Sequence, residues 1–349
     1  MLARLARAAA VIAATAALLA ATACDVQPAQ SPGGGSTNKA LKVGWSTIYL
    51  TPSWMQETEA MLRRDVDRLT QAGKIASYQT FNANGDTSQQ IAQIQAMIQQ
   101  QYDVILVDAG SSTALNPVLE RAVGQGITVV NFDSLVTSNQ VIKVNTDQHE
   151  WGRMLAQWLA DRIGGNGEII AMNGPAGVAV AEDRWAGARE VFARYPGIKV
   201  AANVNSEYNL APAAQAFASA YSAHPGIAGV FSQGGTLSQA ALRTIVQQNA
   251  KIVPITGENY NGFLKLWQQQ LPKGFSSLST AQPNYLAVIA LQAGVAKAGG
   301  GSVRKDIVVP LPKIDDGNVG QWVEADQGDD SYAIKPIAQG DIDRLIQGG

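Results

Sequence analysis

Small polar side chains close each short apolar run of this chain. The ends read Trp45-Ser46-Thr47, Asn82-Ala83-Asn84-Gly85-Asp86, Asp108-Ala109-Gly110-Ser111-Ser112, Asn131-Phe132-Asp133-Ser134, Ser232-Gln233-Gly234-Gly235 and Gly257-Glu258-Asn259. Groups of this kind donate and accept hydrogen bonds and suit a polar ligand. Asp133 ends an apolar run, and its carboxylate is acceptor-only, able to take two hydroxyl donors at once. Arg184 follows the loop at Gly174–Gly177 and offers a planar fork that donates to two oxygens. Each has a plainer reading. Asp133 also serves as a turn former or helix cap, and Arg184 as a surface partner of Glu182 or Asp183. Most of the Asn, Asp and Ser side chains in the row cap and turn, which leaves a minority to face a ligand.

Enzyme chemistry finds little to work with. The two histidines, His149 and His224, lie far apart in sequence, and His149-Glu150 does not continue to a second histidine at metalloprotease spacing. No Gly-x-Ser-x-Gly elbow occurs. The single cysteine, Cys24, leaves neither a thiolate metal site nor a disulfide within the chain. Gly164-Gly165-Asn166-Gly167 follows a helical stretch and precedes a strand, the reverse of a phosphate-cradling loop. The expectation is no catalytic residue, no metal and no cofactor. A net charge of −2 without a basic stripe argues against a nucleic-acid partner.

The elements that must position these residues begin after an unusual N-terminus. Arg4 and Arg7 precede an apolar stretch, Ala8 to Ala23, which stops at Ala21-Thr22-Ala23-Cys24. That is the layout of a secretory signal, and it is shorter than the about 20 residues of a spanning helix. An ordinary signal cut nearby and a short anchor are the alternatives. Asp25 to Lys39, with Pro28 and Ser31-Pro32-Gly33-Gly34-Gly35-Ser36, reads as a flexible tether. What remains of the 349 residues is enough for two domains.

From Leu41 short apolar runs alternate with amphipathic helical stretches, and the pattern restarts at Val141–Asn145. Lys251–Thr256 reads as one of the later strands. The alternation predicts an α/β fold of two doubly wound parallel-sheet lobes. Ligands of such sheets bind beyond the carboxyl ends of the strands.

Four stretches then resemble one family, the ribose-type periplasmic sugar-binding proteins of ABC importers, over about residues 41–320. They are Phe81–Asp86 with Gln90, Ile91 and Ile94; Gly126–Ser134; Asn145-Thr146-Asp147 through Gly174–Gly177 to Glu182-Asp183-Arg184; and Thr280-Ala281-Gln282 with Ala287. The resemblance implies a type I periplasmic binding protein: two lobes joined by three crossings, near 134–140, 280–284 and 310–314. The implied division is a signal peptide 1–23, a linker 24–39, an N-terminal lobe 40–136 plus 283–311, and a C-terminal lobe 137–282 plus 312–349. Asp133 would meet sugar hydroxyls, Gln282 matches the family's crossing glutamine, and Trp54 takes the place of a stacking aromatic. Asn259 stands where the family usually has aspartate, with Glu258 as the other candidate, and Ser46 completes the set at a strand end. The departure is Gln233-Gly234-Gly235, where the family commonly has Asn-Asp; either Gln233 replaces one of these groups or the pocket is larger. Trp45, Trp185, Tyr208 and Tyr260 are lesser aromatic candidates. The leader is similar to a bacterial lipoprotein signal, with Ala21 where Leu is usual, which implies a lipid on Cys24. The implied function is a monomeric, membrane-anchored, extracytoplasmic protein that delivers a monosaccharide or polyol to an ABC permease and its ATPase. A sensory binding protein facing a membrane receptor is the alternative.

Overall fold

The computed structural model describes residues 39–51 and 53–348. The signal peptide, Cys24 and all of the tether but Lys39 lie outside them. The first elements are β1 (Leu41–Thr47), α1 (Ser53–Gln71), β2 (Ile75–Asn82), α2 (Thr87–Gln99), β3 (Val104–Asp108), α3 (Asn116–Gly124), β4 (Thr128–Phe132) and β5 (Ile142–Asn145). There follow α4 (Gln148–Arg162), β6 (Asn166–Asn173), α5 (Ala179–Phe192), β7 (Gly197–Asn205), α6 (Leu210–Ala223), β8 (Gly229–Ser232), α7 (Gly235–Gln247), β9 (Gly257–Glu258), α8 (Asn261–Gln270) and β10 (Ser279–Thr280). The chain ends with α9 (Leu286–Ala298), β11 (Asp306–Val308), α10 (Val319–Trp322) and α11 (Gln339–Gln347).

Six strands form one parallel sheet in the order β11-β5-β4-β3-β1-β2, and a second sheet runs β7-β6-β8. Parallel sheets are covered on both faces, so their inner strands, such as β3 and β4, are mostly apolar and buried, while the edge strands β2 and β7 carry exposed polar residues. In β3 the alternation divides the side chains: Val104 and Leu106 join the core shared with α1 and α9, while Ile105 and Val107 pack with Ile94 and Leu119 on the other face. In β6, Ile170 and Met172 likewise face Phe217 and Leu237, whereas Ile169 and Ala171 face Trp151 and Val191. Caps place the helices. The Asp86 carboxylate accepts from the amides of Ser88 (2.7 Å) and Gln89 (3.2 Å), and Asp147 accepts from Glu150 (2.8 Å).

Three features depart from the sequence reading. Val141–Asn145 was expected to start the second lobe, but β5 hydrogen-bonds between β4 and β11, so the first sheet runs on to Asn145. The chain therefore leaves it between Asn145 and Gln148, later than residues 134–140. Lys251–Thr256, expected as a strand, makes a single bridge, Val230 to Ile255. Finally, the C-terminal stretch does not stay with the second sheet. Ile314 pairs with Ser279 and α10 packs on α8, but α11 returns to α9 and β11, where Arg304 N donates to Ile346 O (2.9 Å). A burial pattern cannot separate one half from the other when both halves offer an apolar face.

Candidate functional site

A cavity of about 230 Å³ lies at the carboxyl ends of the strands, with walls from both halves. The turn after β4 builds one wall. Asn131 is buried in the strand; its Nδ2 donates to Val107 O and Ser134 O (both 2.9 Å), and its Oδ1 accepts from Val136 N (2.7 Å). This knot holds Asp133 at φ 60°, a left-handed conformation that Asp tolerates better than most residues. Asp133 thus turns its carboxylate into the cavity instead of capping a helix.

The opposite wall rests on two helices that cross closely. A Cβ on Gly152 of α4 would stand 1.7 Å from the Arg184 carbonyl oxygen, and one on Gly187 of α5 would stand 2.0 Å from that of His149. Only glycine permits this approach, which brings Arg184 over Trp151 (3.6 Å to the ring centroid) and beside Gln148. Arg184 is buried; its Nε donates to Gln148 Oε1 (2.7 Å) and its Nη1 to Gln233 O (2.8 Å). Nη2 has no protein hydrogen-bond partner among the described residues. Gly152→Ala is expected to force the helices apart and cost about 1–3 kcal/mol, the usual range for overpacking. Denaturant unfolding reads this directly, and ligand affinity should fall with it because Arg184 moves.

A continuous hydrogen-bonded chain joins the two walls. Arg184 donates to Gln148 as above, Gln148 Nε2 donates to Gln282 Oε1 (3.1 Å), and Gln282 Nε2 donates to Asp133 Oδ1 (2.7 Å). Thr146 Oγ1 (2.5 Å) and the Asn145 side chain (2.9 Å) complete the environment of Gln282. Trp54, near the start of α1, donates from Nε1 to Gln282 O (2.8 Å) and presents its ring to the cavity. Asp133, Arg184, Gln282 and Trp54 therefore meet in one place.

The other three candidates do not line it. Ser46 lies one turn of pleat too early in β1; its hydroxyl is buried against Gln93 (3.5 Å), and the lining passes to Ile48 and Tyr49. Asn259 turns away and donates to Ala333 O (2.7 Å), while its neighbour Glu258 faces the cavity. Gln233 is fully buried behind Arg184, with its Nε2 on Asn173 Oδ1 (2.6 Å) and Ala181 O (3.2 Å). It supports the guanidinium through its carbonyl. The space beside Gly234 and Gly235 is not open. The Tyr208 ring lies 2.8 Å from a Cβ on Gly234, and the Tyr260 Cβ lies 2.2 Å from one on Gly235. Of the lesser aromatics, Tyr208 lines the cavity, whereas Trp45 packs on Phe132 and Trp185 on Phe231.

Sequence reasoning missed Asp108 and Tyr332 as lining residues. Asp108 belongs to the polar strand ends, so strand-end position was the available signal. Tyr332 carried none, because it follows the last recognised strand. Burial raises the carboxyls of Asp108, Asp133 and Glu258 above their ordinary values. Asp133 adds its repulsion to Asp108, while Arg184 works against the rise at Asp133 and Glu258. Asp108 Oδ2 accepts from Thr47 (3.0 Å), and its buried Oδ1 has no partner among the described residues. Burial pushes the Tyr208 phenol up to about 12. The cavity is rich in acceptors, holds one fixed cation, and is walled by aromatic rings. Among the described residues, no group of three His, Cys, Asp or Glu is placed to hold a metal ion.

Residues 43–302 match the periplasmic binding protein domain model. The xylitol-binding protein of Mycolicibacterium smegmatis is 28% identical over 323 residues, covering 90% of this chain and 87% of that protein. The ribose import binding protein of Bacillus subtilis is 22% identical over 300 residues, covering 85% and 95%. Among solved structures, an ABC transporter solute binding protein from Thermobispora bispora has the same fold, with a TM-score of 0.77 at 23% identity over 87% of this chain and 94% of that one.

Proposed function

We infer a capture function for this chain, which belongs to the periplasmic binding protein domain family: it takes up a small hydroxylated solute, a monosaccharide or polyol, and delivers it to an ABC importer. It is an extracytoplasmic binding protein, not an enzyme. The single observation that carries the ligand class is the hydrogen-bonded chain from Arg184 to Asp133, which sets a guanidinium and a carboxylate from opposite halves around one cavity. A hydroxyl both donates and accepts, so a polyhydroxy compound satisfies both ends. The ring of Trp54 supports this reading, since an aromatic face packs on the C–H side of a sugar while the hydroxyls bond at its edge. The volume of about 230 Å³ suits one small molecule; drug-sized sites run about 300–1,000 Å³. The relatives named for xylitol and ribose fit the same class.

In this proposal Asp133, Arg184, Gln282 and Trp54 touch the solute, Glu258 takes the place first given to Asn259, and Gln233 and Ser46 act from behind. Ligand holds the lobes together because it touches both, and it shifts the hinge only by that extra contact. The leader ending at Cys24 supports export and a lipid anchor, with residues 24–39 as the tether of a monomeric body. A thermal-shift screen of sugars and polyols tests the function, because a solute that binds only the folded state raises the midpoint. At least one pentose, hexose or linear polyol should raise it by several degrees and bind at about micromolar Kd, near −8 kcal/mol. A flat response across the panel would sink the reading. Uptake of the labelled hit in a deletion strain then separates import from sensing.

A further inference from the structure

We propose that Tyr332 is a specificity-determining wall of the cavity, carried there by the C-terminal segment, and that it sets the length of the hydroxylated ligand accepted. This inference rests on the capture function proposed above. Tyr332 lies after the last strand and beyond residues 43–302, yet its ring lines the cavity with Trp54, Met55, Tyr208 and Glu258. It is 6% exposed, and the side-chain hydrogen bonds at this residue among the described residues run from its backbone N–H to Glu57, none from its hydroxyl. A phenol on the cavity wall without a protein partner is a polar group open to something in the cavity.

The segment holds this ring firmly. Asn261 fastens the approach: its Nδ2 donates to the carbonyls of Glu324 (2.9 Å) and Gly328 (3.0 Å), and its Oδ1 accepts from Glu324 N (3.0 Å). Backbone pairing then brackets Tyr332, with Asn261 N donating to Ser331 O (2.8 Å) and Ala333 N to Asn259 O (2.8 Å). The Asn259 side chain adds a bond to Ala333 O (2.7 Å), which explains why this residue faces away from the cavity. Tyr260 meets the Tyr332 ring edge-on at 5.1 Å. From the other half, the Glu57 carboxylate on α1 accepts from Tyr332 N (3.1 and 3.3 Å). The backbone of Tyr332 is thus held from both halves and its ring is packed by Tyr260, and a fixed wall bounds length in a way that a mobile side chain would not.

The test is calorimetry with linear polyols of four, five and six carbons, on wild type, Tyr332→Ala and Tyr332→Phe. Tyr332→Ala should move the preference toward the longer polyol, changing the ratio of Kd values between neighbouring lengths by about tenfold or more, as expected for a pocket altered by a methylene or more. Tyr332→Phe should keep the length preference and weaken each ligand about 3- to 10-fold, the worth of one neutral hydrogen bond. Tyr332→Leu keeps an apolar side chain against Tyr260 and reads the same ratio should the alanine variant not fold. A wild type that binds while the alanine or leucine variant leaves every ratio unchanged overturns this inference alone. A wild type that binds no polyol or sugar overturns the capture function and the inference with it.

Discussion

Replacing Arg184 by alanine is expected to weaken ligand binding about 10- to 150-fold and to destabilise the ligand-free protein by about 2–4 kcal/mol. The affinity loss follows from removing a charge-assisted donor, worth about 1.5–3 kcal/mol. The stability loss has a separate origin. Gln148 Oε1 and Gln233 O each lose their guanidinium donor inside the protein, and an orphaned buried acceptor costs about 1–3 kcal/mol. The face of Trp151 loses its cation. Arg184 also works against the raised pKa of Asp133 and Glu258, so its removal drives both further toward the neutral acid. Arg184→Lys should not rescue, because an ammonium cannot reach both partners while lying flat on the indole. Calorimetry and denaturant unfolding measure the two effects. An alanine variant with unchanged affinity would remove Arg184 from the ligand contacts.

The alternating pattern made the α/β fold legible, because the inner strands of a parallel sheet covered on both faces are short, mostly apolar and separated by helices. What it did not contain was membership of one sheet or the other. Ile142–Asn145 reads the same whether it opens a second sheet or closes the first, and pairing with Val130–Phe132 and Asp306–Val308 decides it. The same holds for α11, whose apolar stripe suits either half and packs on α9.

In the site, residues at strand ends and crossings were legible where backbone geometry alone aims them. Asp133 is aimed by the Asn131 knot, and Gln282 by its place between β10 and α9. Asn259 and Glu258 are adjacent in an extended stretch, so they point to opposite sides. The choice between them was made by the distant segment at Tyr332–Ala333, which occupies the side that Asn259 faces. The two glycines at 234 and 235 were readable as missing side chains but not as room for other residues. Tyr208 and Tyr260 fill that room from other loops, and no local pattern links them to it. Gln233 shows the converse: a polar strand-end residue spent entirely on holding its neighbours.

Asp133→Asn is expected to lower affinity about 30-fold or more and to flatten part of its pH dependence. Asp133 Oδ1 is engaged by Gln282, and Oδ2 has no protein partner among the described residues, so it is the acceptor offered to ligand. An amide NH₂ in that place turns a donor toward the ligand's own donors, and the lost charge-assisted bonds are worth about 1.5–3 kcal/mol each. The sign of the pH effect follows from the raised carboxyl. Burial lifts Asp133 above its ordinary 3.8, with the Gln282 hydrogen bond and the Arg184 charge resisting. Hydroxyls that donate to the carboxylate favour its ionised form, so ligand lowers the pKa again and binding releases protons between the bound and free values. Affinity therefore climbs with pH through that window and levels off above the free-state pKa. The ligand-free fold responds in the opposite direction. Between 3.8 and the raised value the folded state holds more protons than the unfolded one, so its stability declines as pH rises. Asp133→Asn removes this penalty and should raise ligand-free stability at neutral pH even as it weakens binding. Asp108 and Glu258 are raised by burial too, so a residual slope should persist in the variant. Calorimetry from the ordinary carboxylate range up to neutral pH, in buffers of differing ionisation enthalpy, counts the protons released. Wild-type affinity and proton count in Asp133→Asn would show that the carboxylate takes no hydroxyl from the ligand.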